Sequence, residues 1–178
     1  MRAPFFAGFD LTMPACGACA AQLRCYFAFD VESDAMLGAL LPKWALLPLV
    51  GCEQCDVWRF RHNYAIDKDG TELSLLGVDV TSEQLFGVTR REPPKLPRHN
   101  VGLSAASPAS PATAIQIAGD PLFLREPLTP ECPRCYEAMA FVANLAEPFG
   151  FPVKLGLTGC HYHFACANCR ILSVIAQT

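Results

Sequence analysis

An excess of positive charge is the first thing this chain lacks: 14 Lys and Arg stand against 17 Asp and Glu, a net charge of −3. Proteins that track a nucleic-acid backbone displace counterions with clustered cations, and no general field of that kind exists here. The one local basic patch, Arg90, Arg91, Lys95 and Arg98, reads equally well as a solvated loop. Long apolar runs are also missing. Residues 36–50 are interrupted by Pro42, Lys43 and Pro48 and are too short to span a bilayer. The apolar stretch 3–9 stops at Asp10 without the pattern of a signal peptide. These absences predict a soluble, cytoplasmic protein with no membrane partner. With 15 Pro and 12 Gly, long helices are disfavoured, and short strands joined by turns are expected. Catalytic constellations are lacking too: no nucleophile lies beside a base, no glycine loop can cradle phosphate, and His62 and His99 are isolated. The chain therefore reads as non-enzymatic.

What the chain does have is cysteine. Eight of its 10 cysteines form four C-x-x-C pairs: Cys16 with Cys19, Cys52 with Cys55, Cys132 with Cys135, and Cys166 with Cys169. Two residues between thiolates let a tight turn aim both sulfurs at one ion, and two such turns close a tetrahedron. In a reducing compartment such pairs read as metal ligands rather than disulfides. A redox C-x-x-C opens a helix after a strand, whereas here strand-like segments follow the pairs.

The pairs fall in a repeat. Each half leaves about thirty residues between its two pairs, and the sequence around them recurs. Pro14-Ala-Cys-Gly-Ala-Cys precedes a strand-like segment 22–30, as Pro130-Glu-Cys-Pro-Arg-Cys precedes 138–145. The closing pairs are followed by apolar segments 57–66 and 171–176. The expected fold is mainly β (β-rich α+β), with two related zinc-binding halves in pseudo-two-fold symmetry. One structural Zn2+ is held by Cys16, Cys19, Cys52 and Cys55, the other by Cys132, Cys135, Cys166 and Cys169. The first half is 1–91 and the second 114–178, packing as one domain. A Pro/Ser/Ala-rich connector, 92–113, joins them.

Smaller features complete the reading. Asp69-Gly70 marks a hairpin turn between two apolar segments. Thr81 or Ser82 can cap a short helix through Phe86. Leu23, Cys25, Phe27 and Phe29 alternate on one strand face and match Met139, Phe141, Ala143 and Leu145, so Cys25 reads as core. Cys160 aligns with Tyr162 and Phe164, leaving His161 and His163 on the opposite face. They are strand-face residues or, less economically, substitute ligands.

The segment 117–124 followed by Cys132-Pro-Arg-Cys-Tyr-Glu-Ala-Met-Ala-Phe resembles the YwqG-like family and the C-terminal domain of programmed cell death protein 2. Gly119, Pro121, Phe123, Cys132, Cys135, Met139, Phe141, Phe164 and Cys166 stand at the positions of its pattern. Ala118, Phe123 and Tyr136 replace a glycine, a tryptophan and a glycine of that pattern, and its glutamine after Phe141 is absent. The resemblance covers residues from 115 onward and implies protein binding, as a toxin-immunity protein in bacteria. The alternative is a chaperone for a basic client such as a ribosomal protein. A zinc-ribbon module on nucleic acid is the further reading, which the charge balance disfavours.

Overall fold

The computed structural model describes residues 5–6, 11–17, 19–52, 60–80, 99–100, 115–147, 157 and 159–177. The fold is mainly β. A four-stranded antiparallel sheet has the order β3 (Leu46–Gly51), β2 (Arg24–Asp30), β1 (Phe5–Phe6), β6 (His99–Asn100). A six-stranded antiparallel sheet has the order β5 (Leu73–Val80), β4 (Phe60–Ile66), β10 (Ile171–Gln177), β9 (Cys160–Cys166), β8 (Ala140–Ala146), β7 (Ile115–Ile117). A single short helix, α1 (Ala35–Leu40), is described between β2 and β3. No helix among the described residues is long and apolar enough to cross a membrane.

The repeat seen in the cysteines extends to strand register. Arg24 faces Gly51, Cys25 faces Val50 and Phe27 faces Leu49 across β2–β3. The equivalent pairs across β8–β9 are Ala140 with Ala165, Phe141 with Phe164, and Ala143 with His163. Each ladder carries an irregularity at the same place, between Cys25 and Phe27 and between Phe141 and Ala143. β1 lies on β2 as β7 lies on β8: Phe6 pairs with Phe27, and Ile117 with Ala143.

That irregularity changes the expected alternation around Cys25. A bulge places two residues of one strand opposite one of its partner, so strict two-residue periodicity fails there. Tyr26 is the extra residue and is fully buried, while Cys25 is half-buried and donates its thiol hydrogen to the Phe27 carbonyl at 3.1 Å. Val142 is the buried extra residue of the second half.

The halves part company after their second C-x-x-C pair. In the second half, β10 returns alongside β9, with Ile171 opposite Cys166. In the first, β4 joins β10 instead, with Ala65 opposite Ile171 and Arg61 opposite Ile175. The six-stranded sheet thus contains strands of both halves. A polar cluster marks this seam: Ser173 donates to the Asn63 side chain at 2.6 Å, and the Arg61 guanidinium donates to Asn63 and to the Glu131 carbonyl.

The expected hairpin at Asp69-Gly70 joins β4 to β5. Gly70 has a φ of +73°, and a Cβ there would lie 2.6 Å from Leu46 Cβ, so the turn needs glycine both for its backbone and for its closeness to β3. The apolar run 36–50 divides into α1 and β3 because Asp34 caps the helix, accepting from the amides of Met36 and Leu37 at 2.9 and 3.0 Å. Of the 92–113 segment, His99–Asn100 are described and form β6 beside β1. The rest of it, and the helix expected after Thr81 or Ser82, lie outside the described residues.

Two hydrophobic clusters result. The larger draws on both halves and includes Leu23, Tyr26, Phe27, Leu49, Tyr64, Leu145 and Leu172. The smaller, on the other face of β9, contains Met139, Cys160, Tyr162, Phe164 and Ile171, with Phe123 stacked against it.

Candidate metal centres

Each site begins as a turn whose backbone is fixed by its own hydrogen bonds. In the first, the amide of Cys16 donates to the Ala21 carbonyl at 2.7 Å and that of Ala20 to the Cys16 carbonyl at 2.8 Å. In the third pair, Cys132 donates to Glu137 at 2.8 Å and Tyr136 to Cys132 at 2.9 Å. The residue after the second cysteine takes a positive φ in both, 58° at Ala20 and 62° at Tyr136. Arg170, after Cys169, does the same with a φ of 51°. This conformation reverses the chain tightly enough to bring two sulfurs to one side.

The second C-x-x-C pair of each half arrives at the end of a strand that pairs with the strand following the first turn. Cys52 follows β3 directly, and Cys166 ends β9. The registers of β2–β3 and β8–β9 therefore deliver these cysteines to their partners. Cys132, Cys135, Cys166 and Cys169 come together with all four sulfurs within 4.8 Å of one another. Cys16, Cys19 and Cys52 form the second group by the same measure, and Cys55 lies outside the described residues.

The sulfur geometry fits a tetrahedral ion. Metal–sulfur bonds of about 2.3 Å give a tetrahedron with edges of about 3.8 Å. Cys19 and Cys52 are 3.6 Å apart through their sulfurs, and Cys135 and Cys166 3.7 Å. Both distances far exceed a disulfide bond of about 2.0 Å, and none of the described cysteines is bonded to another. Both clusters can hold a metal ion.

The thiols of the second cluster are unequal. Burial raises the Cys132 thiol, but the amides of Cys135 and Arg134 and the neighbouring thiols more than offset this and bring it down to about 7. Cys169 is pushed up to about 12, chiefly by its hydrogen bond with Cys135. Thiols packed this closely titrate together, and binding of a cation displaces their protons.

Cys25 and Cys160 belong to neither cluster. Burial raises both thiols well above their ordinary range, Cys160 to about 11, which suits inert packing groups. His161 and His163 also stay outside both clusters and are not substitute ligands among the described residues. They project from β9 toward the first sheet. Gly51 leaves room for His161, since a Cβ there would sit 3.1 Å from its Nδ1.

His163 has a role that spacing could not reveal. Its Nε2 lies 3.1 Å from the Val50 amide and 3.0 Å from the Val50 carbonyl. One tautomer accepts from the amide and the other donates to the carbonyl. By the repeat, Val50 corresponds to Phe164, whose neighbour on β10 is Ser173. A side chain of the second half thus occupies the edge of β3 at a position where the second half has a strand. Burial lowers the His163 pKa to about 3, keeping the ring neutral in this role. Arg61 likewise carries no local signature of its role; its pairing opposite Ile175 joins residues far apart in the chain.

No family model, curated protein or solved structure matches the chain.

Proposed function

We propose that this is a non-enzymatic protein, stabilised by two structural zinc ions, whose work is to bind another protein, and that it serves as a bacterial toxin-immunity protein in the cytoplasm. The observation that carries the reading is the second cluster: its four cysteine sulfurs lie within 4.8 Å of one another, and as thiolates around one ion they would leave no coordination position for a substrate. Zinc is the metal assigned because tetrahedral thiolate sets suit it, with Cys55 as fourth ligand of the first site. The resemblance in the second half to partner-binding domains supplies the immunity role. A chaperone for a basic client is the second reading, favoured by the net charge of −3, which complements a cationic partner.

The test is capture with the zinc-loaded chain from source cells, followed by reconstitution with the purified partner. A one-to-one protein complex that protects cells from a toxic partner supports immunity. A complex with a basic, non-toxic protein moves the chaperone reading forward. Recovery of nucleic acid alone, with steep salt dependence, overturns protein binding in favour of a zinc ribbon on nucleic acid. Replacing 92–113 by a Gly/Ser linker in the same experiment asks whether that segment contributes to binding.

A further inference from the structure

The strand that leads into the second C-x-x-C pair is placed differently in the two halves. β9 lies inside its sheet, between β8 and β10, whereas β3 ends the four-stranded sheet. Yet β3 is no surface strand: Leu47, Pro48, Leu49, Val50 and Gly51 are all buried. A buried edge is demanding, because outward amides and carbonyls that have lost water need other partners. β3 meets the demand position by position. The one irregularity of its ladder lies in β2, so the alternation of β3 runs unbroken from Leu46 to Gly51. Both backbone groups of Val50 face His163, and so point away from β2. Two residues back, Pro48 faces the same way and has no N–H to satisfy. Two further back, Leu46 lies against the β4–β5 turn, where a Cβ on Gly70 would be 3.0 Å from its nitrogen. An imidazole, a proline ring and a glycine turn close the edge.

The repeat shows what the proline prevents. Pro48 pairs with Ala28 and Tyr162 with Asn144, so the two are equivalent in register. Tyr162 has β10 on its other side, opposite Ile175. If β4 lay on β3 as β10 lies on β9, Pro48 would sit inside a sheet. There it would withhold a ladder hydrogen bond and crowd the incoming strand, which is why proline in sheets is confined to edges and bulges. β4 lies on β10 instead, with His62 opposite Val174.

We infer that Pro48 is a stop on the edge of β3: it bars β4 from closing a ladder within the first half and commits that strand to β10, so that the two halves are joined through one sheet.

The experiment isolates the missing N–H. A synthetic segment 1–51 carrying Pro, Ala or N-methylalanine at position 48 is ligated at Gly51–Cys52 to the rest of the chain, and the full chain is refolded with zinc. Both the parent and a His163→Ala background are made, and the partners of β4 are read from through-space NMR contacts between backbone protons. Pro48→Ala combined with His163→Ala opens the edge at two positions. Contacts of β4 with β3, or dimers joined at β3 and seen by sedimentation, are expected there. N-methylalanine, which has no N–H, should keep the β4–β10 contacts in the same background. An alanine double variant that holds β4 on β10 and forms no more dimer than the parent overturns the inference. Should that variant fail to fold, the chains with His163 in place decide. Amide exchange in β4 and β10 is then expected to be at least about tenfold faster with alanine than with N-methylalanine, and equal exchange in the two overturns the inference.

Discussion

The two cysteine clusters are built from the same turn and the same register, yet they sit in different surroundings. Cys16 and Cys52 belong to the large core that both halves share, beside Leu23, Tyr26 and Leu49. Cys132 and Cys166 belong to the smaller core on the far face of β9, with Met139, Tyr162 and Phe164. The second sequence repeat bears the more elaborate surface, with Arg134 and Tyr136 where the first has Ala18 and Ala20. A duplicated frame has thus been put to unequal use: one copy closes the shared interior, and the other presents side chains to solvent.

Metal removal is the strongest way to break this comparison. Elemental analysis should find two zinc per chain, and each loss should be severe, because structural zinc contributes about 10–16 kcal/mol of apparent binding free energy. Cys16→Ser should disrupt the first half and spread into the shared core, read as loss of amide protection in β2, β3 and β4. Cys132→Ser should lose its zinc while protection in β2 and β3 largely persists. Equal depletion of both ions by either substitution would show that the sites are not independent.

Next in size is the tie between the halves. His163→Ala leaves one buried backbone group of Val50, its amide or its carbonyl, without the imidazole partner and should cost roughly 1–3 kcal/mol, measured by denaturant unfolding with zinc content held constant. Its pH dependence has a definite sign. The folded-state pKa is depressed to about 3, below the ordinary His value of 6.5, so the unfolded chain binds the proton more readily. The stability linked to this group is fully present above pH 6.5 and is lost as pH falls toward 3. A His163→Gln variant with retained zinc should show a shallower loss over that window.

Cys25→Val addresses the bulge that both halves carry. The variant should retain two zinc per chain and lose less than about 1.5 kcal/mol, because Cys25 is a half-buried packing residue. Loss of a zinc equivalent would place Cys25 among the ligands. The smallest effect compares the turns directly. Ala20→Gly and Tyr136→Gly each relieve a strained positive φ, and each should be neutral or stabilising by up to about 1 kcal/mol in thermal unfolding. Destabilisation by Tyr136→Gly alone would mean that its ring packs more than its exposure indicates.

Local chemistry made much of this molecule readable. The C-x-x-C pairs identified the clusters because the turn needs nothing beyond its own few residues, and the hairpin at Asp69-Gly70 was legible for the same reason. The strand-like segments could be placed because those that follow the cysteine pairs recur. Non-local partners were not legible. Nothing near Phe60 says that β4 will lie on β10 rather than β3, since the choice depends on a partner more than half the chain away. Cys25 seemed to alternate cleanly because a bulge leaves no trace in polarity when both residues involved, Cys25 and Tyr26, can be buried. His163 read as one more strand residue; its partner is the backbone of Val50, and a backbone has no sequence signature.

The β4–β10 pairing has a consequence for the order of events during folding. The ladders β2–β3, β4–β5 and β8–β9–β10 join segments near one another in sequence and can form early. Pairing Ile175 with Arg61 closes a loop of roughly 110 residues, whose entropic cost precedes any reward from the contact. The seam is therefore expected to form late in assembly. Until it closes, β4 and β10 each expose an edge able to capture a strand from another molecule, which makes exchange of one half between two chains the characteristic error to look for in concentrated refolding.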